Sequence, residues 1–148
     1  MDKNVIATLK KTFEDYSHTN EGIEFWFARD MQILLEYDEW RNFLNVIEKA
    51  KISCKKSGHN IRDHFVDINK TIPMPKGASK DIQDIMLTRY ACYLIAQNGD
   101  SRKESIAFAQ SYFAIQTRKQ ELIEQRIAFI SNHLQRELLI MQVFLIHT

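Results

Sequence analysis

Glycine and proline are scarce in this chain: among 148 residues there are four glycines and two prolines, too few for long loops or a disordered low-complexity segment. Cysteine is scarcer still in any useful pattern. Cys54 and Cys92 lie far apart, with no C-x-x-C and no paired framework, so the thiols are expected free and buried in a reducing, cytoplasmic setting. The start, MDKNVIATLKK, lacks the apolar stretch of a secretory signal. The greasiest run, Leu138 to Ile146, is broken by Gln142 and falls short of the roughly 20 residues a membrane span needs, so no membrane association is expected. No phosphate-binding glycine loop, G-x-G-x-x-G or nucleophile elbow occurs. The reading is therefore non-enzymatic, with no cofactor and no metal.

What is present is an ordinary globular composition, 45% hydrophobic and 26% charged, long enough for one sizeable core. The net charge of +1 conceals a division along the chain. Residues 1–39 carry nine acidic side chains against four basic ones, whereas residues 40–80 carry nine basic against three acidic. A basic block of this kind is the footprint of a phosphate-backbone binder, and solvated lysines of an ordinary surface give it too.

Apolar spacing predicts an N-terminal helix within residues 1–20 that ends before a polar Ser17–Gly22 turn, then a half-buried strand over 23–27 in which Ile23, Phe25 and Phe27 share a face. Asp30 is expected to cap a short helix, MQILLEY, and Asp38 the next. In that next helix Trp40, Phe43, Leu44, Ile47, Ala50 and Cys54 form the buried stripe and Gly58 the stop, leaving Arg41, Lys49, Lys51, Lys55 and Lys56 outside. The two helices make a helix-turn-helix-like pair. Strands near 64–70 and 82–87 flank a loop with Pro73, Pro75 and Gly77, and its lysines, Lys76 and Lys80 with Lys70, suit a wing that touches phosphates. The fold class expected is α+β, predominantly helical, with a small antiparallel sheet.

Thr88 is read as the cap of an almost wholly apolar helix, Arg89 to Gln97, ended by a left-handed Asn98-Gly99, with a capping box of Ser101 and Glu104 opening the next. The one cation of that apolar helix, Arg89, is read as a scaffold ion pair with Asp81 or Asp84 rather than a DNA contact. Along the last segment Ile123, Ile127, Ile130, Leu134, Leu138, Met141 and Leu145 step by three or four, the seam of a helix that pairs with another; residues 127–148 are read as an oligomerisation or partner surface, most simply of a homodimer. His59, Asp63, His64 and Asp67 offer the one temptation to a metal nuclease, but lack ligand spacing and are read as turn and surface groups.

Three strings, EYDEWRNFLNVIEKAKISCKKSGHNIRDHF, KDIQDIMLTRYACYLIAQNGD and SYFAIQTRKQEL, resemble the DNA-damage-inducible protein D family of bacteria. The segment FWFARDMQILLEYDEWRNF is similar to the BRO N-terminal domain of phage antirepressor-like proteins. The resemblance spans roughly residues 23–125 and assigns residues 1–126 to that domain. The family's long polar C-terminal region has no counterpart in ISNHLQRELLIMQVFLIHT. What it implies is a non-enzymatic protein of the DNA-damage response, binding single- or double-stranded DNA or modulating filaments of the RecA recombinase; a phage antirepressor-like interaction module is the alternative. The residues expected to meet phosphates are Arg41, Lys49, Lys51, Lys55, Lys56, Lys76 and Lys80.

Overall fold

A computed structural model describes residues 3–147, with the side chains of Gln116, Ile146 and His147 left out. In chain order the elements are α1 (Lys3–Asp15), β1 (His18–Asn20), β2 (Ile23–Phe27), α2 (Ala28–Leu34), α3 (Trp40–Lys56), β3 (Phe65–Pro73), β4 (Ser79–Thr88), α4 (Arg89–Gln97) and α5 (Glu104–His147). Short 3-10 turns occupy Ile61–Asp63 and Pro75–Gly77. The strands form one antiparallel sheet in the order β1-β2-β4-β3. The α+β reading, mainly helical with a small sheet, holds.

The chain divides into two compact units, Met1–Ala114 and Ile115–Thr148, with the boundary inside α5. That boundary falls earlier than the sequence division after residue 126. In the first unit α4 is central: Ala91, Cys92, Leu94, Ile95 and Ala96 are all buried, and the α3 stripe of Phe43, Ile47, Ala50 and Cys54 is buried with them. Trp26 is fully buried, its indole N–H donating to the Phe13 carbonyl at 2.9 Å while its ring system meets Phe113 nearly at right angles. A buried tryptophan needs such an acceptor, because its N–H cannot be left dry without cost.

Local signals succeed where the partner is close in sequence. Thr88 does cap α4, its Oγ1 accepting from the Ala91 N–H at 3.2 Å. Gly58, at φ +83°, turns the chain out of α3, with Gly58 N–H donating to the Lys55 carbonyl and His59 N–H to the Cys54 carbonyl, both at 3.1 Å. This is the paired C-terminal bonding that only a left-handed residue allows cheaply. Strand β2 covers residues 23–27 as expected, but the face is corrected: Trp26 is the buried residue, Phe25 and Phe27 are half-buried and Ile23 is exposed, because β2 packs its other side against the core.

Elsewhere the partners are distant, and several expectations are corrected. The Ser17–Gly22 segment is not only a turn: His18–Asn20 pairs with β2 across a tight Glu21-Gly22 turn, both residues having positive φ. A three-residue polar strand has no alternation to announce it; pairing makes it a strand. Asp30 does not cap α2, which begins earlier, after Phe27; the Asp84 carboxylate on β4 accepts from the Arg29 N–H at 3.0 Å instead. Asp38 does not cap α3 either, since the cap position is Glu39 and no side chain bonds there.

Beyond α4, neither Asn98 (φ −91°) nor Gly99 is left-handed. Glycine is needed at 99 for space, because a Cβ there would lie 2.9 Å from Ile106 Cγ2. Ser101 and Glu104 form no capping box: α5 starts at Glu104, and Asp100 organises the turn by accepting from Arg102 N–H at 3.0 Å.

Arg89 is a scaffold residue with a different partner. It donates to Glu24 of β2 and lies over the faces of Trp26 and Tyr112, with ring centroids 5.1 and 5.8 Å away. Asp81 instead accepts from Thr71 Oγ1 at 2.7 Å, and Asp84 is taken by Lys70, whose Nζ is 2.6 Å from Oδ2. Among the described residues no N–H or O–H meets that oxygen in hydrogen-bond alignment, so it is satisfied by the lysine charge. Lys70 also lies 3.4 Å from the Phe27 ring centroid.

Two measurements test this frame. Replacing Asp84 with Ala leaves the first turn of α2 without its acceptor and releases the partly exposed Lys70 to water, and should lower unfolding free energy in urea by about 1–3 kcal/mol, the cost of a buried N–H left unanswered; a loss below about 0.5 kcal/mol contradicts the role. His64, whose Nδ1 is 2.7 Å from Thr88 Oγ1, has its pKa lowered from 6.5 chiefly by burial, then by His59, with Asp63 opposing. The unfolded chain then binds this proton more readily, so the contribution is complete above about pH 6.5 and is lost as pH falls below it. His64→Gln should flatten the urea midpoint between pH 7.5 and 5.5 relative to the parent.

Candidate nucleic-acid interface

Helix α3 has two unlike sides. At 3.6 residues per turn, Arg41, Lys49, Lys51, Lys55 and Lys56 fall within an arc of about 160° opposite the buried Phe43, Ile47, Ala50 and Cys54. The apolar stripe therefore decides which way the cations face. Among the described residues only Lys51 of these five has a carboxylate within 4 Å, Glu48 at 3.3 Å one turn away. Lys51, Lys55 and Lys56 line one shallow depression with Glu48, Ile52 and, from the following turn, Ile61. Lys55 and Lys56 lie in the last turn, where the carbonyl end of the helix favours cations.

Arg41 sits at the opposite end of α3, about 20 Å along the axis from Lys56 at 1.5 Å per residue. Lys76 and Lys80 belong to a different element, the exposed far end of the β3–β4 hairpin, where nine residue pairs run from Phe65–Leu87 to Pro73–Ser79. There Lys76 takes a left-handed φ of +67° in the turn. The seven cations expected to meet phosphates thus divide into five on one helix and two on a hairpin tip. Lys70, counted in the same basic block, is drawn off by Asp84.

Three of the nine acidic residues of the N-terminal segment are engaged elsewhere. Glu24 holds Arg89, and Glu36 accepts from Ser105 Oγ at 3.1 Å and, by its carbonyl, from Lys103. Asp30 is half-buried, its pKa raised by desolvation, with Lys70 and His18 opposing and Asp84 reinforcing. None of the three is paired with the cations of α3.

A further feature is not legible in the sequence as a site. His59, pinned to the end of α3 by its N–H bond to Cys54, meets Tyr90 at 4.6 Å between ring centroids and His64 at 5.8 Å. Tyr90 in turn meets His64 at 5.0 Å and stacks on Tyr93 at 6.2 Å. The ring of His59 is exposed and the other three are half-buried. In the sequence Tyr90 and Tyr93 vanish into an apolar helix; their three-residue spacing, with polar tips, is the available signal. Asp67 lies on the strand β3, and among the described residues no three His, Cys, Asp or Glu side chains are gathered as metal ligands. Both cysteines are buried thiols with pKa raised by burial, Cys92 strongly.

In the second unit, Ile123, Ile127, Ile130, Leu134, Leu138 and Met141 are each at least half exposed. Ile146 of the same apolar run lies outside the described side chains. No helix among the described residues is long and apolar enough to cross a membrane.

Comparison with known proteins adds to this geometry. No solved structure matches. Residues 15–114, which hold the sheet, α2, α3, α4 and the start of α5, match the family model described as the BRO family, N-terminal domain. The chain is 48% identical over 113 residues to DNA damage-inducible protein D of Escherichia coli K12, an alignment that covers 76% of this chain but 41% of that protein. The fold that presents α3 and the β3–β4 hairpin is thus that of the BRO N-terminal domain, and the chain belongs to this family as a member similar to DNA damage-inducible protein D.

Proposed function

We propose that this chain is a non-enzymatic DNA-binding protein of the DNA-damage response, in which the solvent face of α3 meets the phosphate backbone. The observation that carries the reading is the α3 face itself: five cations on one side of one helix, of which only Lys51 is paired with a carboxylate among the described residues. Unpaired surface cations at helical spacing are what a polyanion recruits, and binding then releases the counterions condensed on it. The relation to DNA damage-inducible protein D supports the damage-response setting, and the BRO N-terminal domain supports a DNA partner. Lys76 and Lys80, on the hairpin tip, act as a second phosphate-binding point, in the manner of a wing.

The rest of the reading concerns protein partners. A recombinase filament on DNA is the partner this setting favours. The exposed apolar stripe of the second unit favours a homodimer, since a lone amphipathic helix cannot bury its own seam.

Affinity for oligonucleotides measured across a salt series tests the DNA reading. Log K should fall steeply with log salt, and Lys55→Ala with Lys56→Ala should weaken binding irrespective of sequence and make the slope shallower by about 0.7–0.9 for each phosphate no longer neutralised. A slope near zero in the parent, or one unchanged in the double variant, contradicts it. For the dimer, Leu134→Glu with Leu138→Glu should halve the sedimentation mass; a parent already sedimenting as a monomer ends that part of the proposal.

A further inference from the structure

The aromatic group beside α3 has no task in the phosphate reading, which needs only cations. Core packing does not account for it fully either, because His59 is exposed and Tyr90, Tyr93 and His64 each remain half-buried. Its placement is set by backbone geometry. The left-handed Gly58 folds the chain back at the end of α3, and the backbone N–H bond of His59 to Cys54 fixes its main chain there, four and three residues after Lys55 and Lys56. From the other side α4 brings Tyr90 and Tyr93 as neighbours three residues apart. Rings from separate elements therefore meet where the basic face ends, and Arg62, exposed in the next turn, adds a cation.

We propose that His59, Tyr90 and Tyr93 form a stacking subsite for an unpaired nucleobase, next to the phosphate-facing Lys51, Lys55, Lys56 and Arg62. The inference rests on the phosphate reading and deepens it by naming the form of nucleic acid. A ligand that satisfies both halves must carry repeated negative charge and offer free π faces. Single-stranded DNA does so, whereas a duplex keeps its bases stacked on one another. An acidic peptide would satisfy the cations and leave the rings unused. Two carboxylates lie near the patch: Glu48, which is paired with Lys51, and Asp63, which is close enough to act on the His64 imidazole; against these two charges stand four cations, so the patch keeps a positive balance for phosphate.

The test compares three probes of equal length with the full chain: a base-bearing single strand, an abasic single strand and a duplex. His59→Ala is the main variant, because an exposed side chain at the end of a helix can be removed without disturbing the core; His59→Tyr keeps a ring in place, and Tyr93→Ala removes the second one. His59→Ala should weaken binding of the base-bearing strand by about 5- to 100-fold, the effect of losing one stacked base, with abasic and duplex affinities unchanged. His59→Tyr should restore it. Equal losses on base-bearing and abasic strands, or no loss on either, overturn the stacking subsite while leaving phosphate binding intact. If the parent binds none of the three probes, the phosphate reading fails and the subsite with it.

Discussion

The buried carboxylate of Asp84 holds the sheet and the helix pair to one geometry. It is fully excluded from solvent, and a charge in that position is tolerated only when its oxygens are answered. One oxygen accepts from the backbone of Arg29 at the start of α2 and from its own neighbour Ile85, and the other faces the ammonium of Lys70 on β3. A single side chain on β4 thereby fixes where α2 begins, which strand lies beside it and where a lysine of the basic block is held. Because α3 follows α2 after a short connection, the orientation of its cationic face depends on that start.

The charge distribution follows the same logic. The acidic N-terminal third and the basic middle third look as though they should neutralise each other, yet their pairings are selective. Glu24 of β2 reaches Arg89, which caps nothing and lies in the apolar first turn of α4, while Lys70 is drawn to Asp84. These pairs tie the strands and α4 together. Apart from Lys51, which Glu48 holds, the cations of α3 and of the hairpin tip are left facing solvent, at the cost of a modest mutual repulsion that a polyanionic partner would remove.

Much of the site can be read from local pattern. The stripe of Phe43, Ile47, Ala50 and Cys54 sets the helical period, and the period dictates that Lys49, Lys55 and Lys56 face away from the core. Thr88 and Gly58 work as cap and stop because their bonds close within a few residues. The partner of Arg89 is not legible in this way: Asp81 and Asp84 are its neighbours in the sequence, whereas Glu24 becomes one only when β2 pairs with β4. Gly99 invites a reading based on dihedral freedom, but its requirement is steric and comes from Ile106. The ladder of His59, His64, Tyr90 and Tyr93 joins the end of one helix to the face of another, and no window of sequence contains it.

The amino-acid order by itself determined the class of fold, the extents of β2 and α4 and the two-sided character of α3, because these follow from periodicity, capping and turn chemistry acting over a few residues. Tertiary structure alone decided which charges are paired inside and which remain outside, that a polar tripeptide becomes the edge strand β1, and that four rings meet at the end of the basic helix. The physical reason is range: hydrogen bonds and apolar periodicity within an element are encoded locally, whereas the fate of a charge depends on what burial brings beside it.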